Sequence, residues 1–112
     1  MASLDSQIKR GSAEVAILAV LDSGPMHGYE IAKTIERQTR GALTFNLASL
    51  YPMLYRMESR GWIKGAWETR QGGRRRRFYR LTPSGGKKLA SLGKQWRAFF
   101  LALDRLVGVA RA

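Results

Sequence analysis

Between positions 70 and 80 the chain places six arginines, Arg70, Arg74, Arg75, Arg76, Arg77 and Arg80, with no acidic residue among them. A guanidinium is planar, permanently charged and forked, so it matches phosphate oxygens two at a time. Charges on a strand edge also discourage pairing between molecules, but six exceed what edge protection needs. The chemistry implied is recognition of a polyanion. Catalysis has little support. The sole histidine, His27, has no adjoining carboxylate or serine motif to make it a general base, although it could cap a helix or touch a phosphate. With no cysteine, no metal-ligand cluster and no glycine-rich loop followed by lysine, neither an enzyme nor a metal or cofactor is expected.

The charge is large and uneven. Lysine and arginine number 20 against 8 acidic residues, a net charge of +12. Residues 1–50 balance, with five basic (Lys9, Arg10, Lys33, Arg37, Arg40) and five acidic (Asp5, Glu14, Asp22, Glu30, Glu36), so the whole excess lies after Tyr51. Charge gathered in one part of a chain is the electrostatic footprint of a nucleic-acid binder. At 112 residues, 45% hydrophobic and 25% charged, the chain reads as one soluble globular domain. The longest apolar run, Val15–Leu21, is too short to span a bilayer, and no apolar signal core opens the chain. A cytoplasmic protein is expected.

The element that those charges would serve is a helix over Asn46–Gly61. Leu47, Leu50, Leu54 and Met57 form an apolar stripe at helical spacing. Asn46 suits the N-cap and Gly61 the C-terminal stop. Pro52 complicates this: with Asn46 as cap it falls inside the helix, leaves the Ala48 carbonyl without an amide and costs roughly 3 kcal/mol. A start at Ser49 would make it nearly free. The face away from the stripe carries Ser49, Pro52, Tyr55, Arg56 and Arg60, small residues first and basic ones after, as end-on insertion into a DNA groove requires.

The remaining segments brace that helix. Ser12 is a plausible cap for a first helix with Val15, Ile17, Leu18 and Leu21 inward, ended by the turn Asp22-Ser23-Gly24-Pro25. Residues 29–39 suggest a second helix with Ile31, Ala32 and Ile35 inward, and Ala42–Phe45 a short extended piece. After Gly61 the period shortens to two. Residues 62–69 read as a strand with Ile63 and Trp67 on one face, and 74–82 as another with Tyr79 and Leu81 on one side and Phe78 and Arg80 on the other. Gly72-Gly73 joins them into a hairpin. Thr82-Pro83 starts a long helix, along which Leu89, Leu92, Trp96, Phe99, Leu103 and Leu106 keep a 3-4-3-4-3 rhythm, widened by Phe100 and Val107. Such a helix runs roughly 40 Å. Nothing else in the chain remains to cover its seam, so a homodimer is expected. Val15 and Leu18 are assigned to the same interface. Gly93 offers room for a partner helix.

The expected fold is mainly α with a small β-hairpin: a winged helix-turn-helix DNA-binding domain (1–82) and a C-terminal dimerisation helix (83–112), forming one compact unit. The run HGYEI, then SLYPMLYRMESRGWI, the Gly-Gly loop, RRRRFYRLT and PSG resembles PadR-type transcriptional regulators of the short subclass, over about Ser12–Leu106. The resemblance implies a dimeric repressor on a pseudo-palindromic promoter, often released by a phenolic or hydrophobic effector. It places Tyr51 and Pro52 in the family's LYP element, Ala48-Ser49 at its small pair and Tyr29 at a backbone-contacting tyrosine. It also puts Trp96 where some relatives line a drug pocket, with Phe100 beside it; plain dimer core is the competing reading of Trp96.

The DNA-facing set is therefore Tyr29, Asn46, Ser49, Tyr51, Pro52, Tyr55, Arg56, Arg70, Arg74, Arg75, Arg76 and Arg77, with phosphates fixing register and Ser49, Tyr55 and Arg56 meeting base edges of double-stranded DNA. Alternatives are an RNA-binding or ribosome-associated winged protein and a small-molecule sequestering dimer.

Overall fold

In the computed structural model, which describes residues 4–70 and 72–111, with side chains over 11–70 and 72–108, the elements follow the order α1 (Leu4–Leu21), β1 (Met26–His27), α2 (Gly28–Gln38), α3 (Leu47–Ser59), β2 (Ile63–Thr69), β3 (Arg75–Leu81) and α4 (Pro83–Arg111). The architecture is a winged helix-turn-helix with a long terminal helix. Its core is one cluster in which Ile17, Leu18 and Leu21 of α1 meet Ile31 and Ile35 of α2, Leu50, Leu54 and Met57 of α3, Ile63 of β2 and Tyr79 of β3.

Asn46 settles where α3 begins. Its Oδ1 accepts the Ser49 amide at 2.8 Å, so the helix starts at Leu47 and Pro52 lies inside it. Ala48 is an exposed residue, and burial of Leu50, Leu54 and Met57 offsets the lost hydrogen bond. Gly61, at φ +80°, ends the helix: its amide donates to Glu58 and the Trp62 amide to Met57, the paired bonds that a left-handed residue makes possible. Thr82 caps α4 as its hydroxyl accepts the Gly85 amide at 2.9 Å, with Pro83 in the first turn. A Cβ on Gly85 would lie 1.9 Å from the Trp62 carbonyl oxygen. The helix-weakening glycine is thus the residue that lets α4 sit against the root of the hairpin.

Several expectations change. The first helix begins at Leu4, so Ser12 is interior rather than a cap. Ala42–Phe45 forms no strand: Ala42 and Leu43 bend and the two residues after them are irregular; the Thr39 hydroxyl accepts the Leu43 amide at 3.1 Å and donates to the Ile35 carbonyl at 2.7 Å. A third strand joins the hairpin, in the order β1-β3-β2, with Met26 opposite Tyr79 and His27 opposite Phe78. Ile63 is buried but Trp67 is 57% exposed, because the hairpin outruns the core. Phe78 and Tyr79, on opposite faces, are both buried: Tyr79 enters the core and Phe78 lies under His27 and Arg70. Leu18 cannot serve a dimer interface, since its own chain buries it completely. Leu89 and Leu92 also pack in part against the chain's own core.

Candidate nucleic-acid interface

The outer face of α3 presents Ser49, Pro52, Tyr55 and Arg56 to solvent. Tyr51, one turn before Tyr55, is half-buried because its ring seats against α2: a Cβ on Gly28 would come within 2.7 Å of the Tyr51 hydroxyl. The glycine lets the two helices close at that point and holds the tyrosine's direction. Tyr29, next in sequence, is exposed on the first turn of α2, with the Lys33 ammonium 5.6 Å from its ring centre.

The wing arginines are alike in sequence and unlike in structure. Arg74 and Arg75 are exposed, Arg75 lying over the Trp67 ring at 5.6 Å. Arg70 and Arg80 share Glu68, at 3.2 and 2.8 Å, and Arg70 also covers Phe78 at 4.1 Å. These exposed pairs contribute little and a phosphate can displace them. Arg77 is different. Its Nη2 donates to Glu58 Oε2 at 2.7 Å, the same oxygen accepts the Gly65 amide at 3.1 Å, and the glycine leaves room for the guanidinium across β2. The bond to Glu58 raises the Arg77 pKa further above its ordinary value. Arg77 fastens the wing to α3 rather than standing free for DNA. Arg76 turns to the other side, its Nη1 2.6 Å from His27 Nε2.

Tyr51, Tyr55, Arg75, Arg76 and Arg77 meet at one cleft of about 380 Å³ between α3 and the hairpin, together with His27, Trp67 and Tyr79. Trp67 and Tyr79 had no sequence signal beyond strand alternation. His27 meets one of its two expected uses: its Nδ1 accepts the Glu30 amide at 3.3 Å, capping α2, while its ring lines the cleft. Burial, then Arg76, lower its pKa, against a smaller opposing pull from Glu30.

Away from this face, Trp96 packs on α1, where a Cβ on Gly11 would meet its ring at 3.1 Å; it meets Phe99 edge-on at 6.1 Å and Phe100 at a tilt at 5.4 Å. Val15, Trp96 and Phe100 line an apolar recess of about 400 Å³ with Leu43. Beyond it, Phe99, Phe100, Leu101, Leu103, Leu106 and Val107 are 42–70% exposed.

Residues 17–91 match the profile of the transcriptional regulator PadR-like family. The chain belongs to that family. An uncharacterised protein of Lysinibacillus sphaericus is 31% identical over 91 residues, spanning 81% of this chain and 84% of that one. Among solved structures, a transcriptional regulator from Clostridium thermocellum superposes with a TM-score of 0.80 at 30% identity, covering 91% of this chain and 99% of its own. A PadR family transcription regulator from Clostridium difficile does so at 0.73 and 29%, covering 84% and 96%. The chain is thus a PadR-family transcriptional regulator with a DNA-binding winged helix-turn-helix fold. No helix among its described residues is long and apolar enough to cross a membrane.

Proposed function

We propose that this PadR-family protein is a cytoplasmic, dimeric repressor that binds a pseudo-palindromic duplex operator and is released by a small hydrophobic or phenolic effector. The observation that carries the reading is the convergence of Tyr51 and Tyr55 of α3 with the wing arginines Arg75, Arg76 and Arg77 around a single cleft. In this reading Arg70, Arg74 and Arg75 neutralise phosphates, and Arg76 joins them by leaving His27. Tyr29, Asn46, Tyr51 and Pro52 shape the backbone approach, and Ser49, Tyr55 and Arg56 meet base edges.

Dimerisation is supported by the bare apolar half of α4, a surface that soluble monomers seldom leave open. Residues 1–82 then read DNA and residues 83–112 pair the subunits in one unit. An effector in the recess beside Val15, Trp96 and Phe100 would tilt the paired helices and change the separation of the two α3 helices, which must match about 34 Å of groove spacing.

The deciding experiment is selection from a random duplex pool at two salt concentrations. A two-fold motif with half-sites about one turn apart, retained at the higher salt, is expected. Binding that vanishes with salt, enriches no sequence and is no weaker for RNA would sink the reading. Sedimentation velocity checks the assembly: Leu103→Lys places a charge in the seam and should give monomers.

A further inference from the structure

We infer that Glu58 is a positioning residue for DNA recognition: through Arg77 and the Gly65 amide it fixes the angle at which the wing stands to α3. The inference rests on the DNA contacts proposed for those two elements. Only residues 60–62 join the helix to β2, and the shared core reaches no further along the hairpin than Ile63 on β2 and Tyr79 on β3. Beyond that root Trp67 is 57% exposed. Each strand has seven residues. Over roughly 20 Å of strand, a swing of about ten degrees at the root moves the tip by roughly 3.5 Å, more than the length of a hydrogen bond.

One carboxylate oxygen closes that hinge. Glu58 Oε2, on the last turn of α3, accepts Arg77 Nη2 from β3 at 2.7 Å and the Gly65 amide from β2 at 3.1 Å. Three elements thus meet on a single atom. β2 is an edge strand, and the Gly65 amide takes Glu58 where a further strand would otherwise pair. The Nε side of the guanidinium lies against the buried Tyr79 hydroxyl, its side-chain hydrogen-bond partner. A Cβ on Gly65 would come within 2.6 Å of that Nε, so the glycine leaves the guanidinium its passage to α3. Arg77 and Glu58 are largely enclosed, whereas Arg70 and Arg80 are half-exposed and their partner Glu68 belongs to the hairpin itself. Among the described residues, Arg77–Glu58 is the one ion pair with a carboxylate that ties the wing to another element.

Charge gives the inference its sign. A carboxylate near phosphates repels them, so a glutamate with no positioning task only hinders binding. Glu68 is such a group: it occupies Arg70 and Arg80, and its loss releases both. Glu58 bears the same charge and its loss also releases an arginine, but it unlatches the wing as well. The two glutamates therefore affect binding in opposite directions.

The test compares full-length wild type with Glu58→Ala, Gly65→Ala and Glu68→Ala on a duplex carrying the selected operator. Affinity is measured across a salt series, hydroxyl-radical footprinting separates wing from half-site protection, and thermal melting monitors the fold. Glu58→Ala should bind about tenfold more weakly, as loss of one charge-assisted contact does, with half-site base preference intact and wing protection lost. Its slope of log affinity against log salt should fall by about 0.9 for each wing phosphate released. Gly65→Ala, which alters no charge, should do the same. Glu68→Ala should bind more tightly and keep the wild-type footprint. A merely structural role for Glu58 would lower the melting temperature and leave slope and footprint unchanged. That result, or tighter binding by Glu58→Ala, refutes the inference and leaves the DNA-binding reading standing. If Glu58→Ala does not fold, Glu58→Gln, which keeps an acceptor for the Gly65 amide, is judged by the same slope and footprint. If wild type selects no duplex sequence, the DNA-binding reading falls and the inference with it.

Discussion

The two halves of the proposed DNA-facing surface are prepared in opposite ways. On α3, Ser49, Pro52, Tyr55 and Arg56 stand exposed on a helix fixed from behind by three buried side chains. Their backbone is rigid and their tips are uncommitted. On the wing the β2–β3 ladder outruns the core, and the charged side chains are already engaged: Glu58 holds Arg77, Glu68 meets Arg70 and Arg80, and His27 meets Arg76. Of the wing arginines, Arg74, Arg75 and Arg76 have no carboxylate partner among the described residues. A helix anchored by its core suits reading of base edges, where an error of an ångström loses the bond. A surface of exchangeable ion pairs suits phosphates, which are alike along the strand.

That contrast can be broken by substitution. Arg56→Ala should have the largest effect, about 1–3 kcal/mol of discrimination at one operator position, read by competing duplexes that differ at each half-site base. Uniform weakening across all bases would instead make Arg56 a phosphate contact. Asn46→Ala removes the cap and should cost about 1 kcal/mol of stability in denaturant melts, loosening the helix proposed to carry the specific contacts. Arg75→Ala should weaken all sequences alike and reduce the slope of log affinity against log salt by about 0.9 per subunit; an unchanged slope would show that Arg75 stays over Trp67 in the complex.

The smallest effect is on pH dependence. Because folding lowers the His27 pKa, the unfolded chain takes up its proton first as pH falls below about 6.5. Stability contributed by the neutral imidazole is therefore complete above that value and declines as pH falls through the folded pKa. Thermal melts from pH 7.5 to 5.5 should show this component in wild type and not in His27→Asn.

Where the determinants were local, the sequence was a reliable guide. Asn46, Gly61 and Thr82-Pro83 mark their helix ends through bonds made within a few residues, and the apolar rhythm of α4 survives as a bare face. Elements decided by distant partners were not legible. Two residues, Met26 and His27, are too few to show a strand period, and they become a strand only because β3 lies beside them. Arg77 and Arg74 are the same residue in the same run; Glu58, from another element, separates them. Leu18 and Leu103 each lie on an apolar stripe, and only the packed chain reveals that one is enclosed by its own core while the other is 42% exposed.

The absent side chain at Gly85 also has a mechanical consequence. It brings the first turn of α4 against the peptide of Trp62, immediately before β2 begins, so the helix pivots at the root of the wing. Over a rod of roughly 40 Å, one degree of rotation moves the far tip by about 0.7 Å while the fulcrum hardly shifts. Displacement applied at the tip therefore reaches the wing as a small torque, and the thrust bearing for it is a backbone carbonyl.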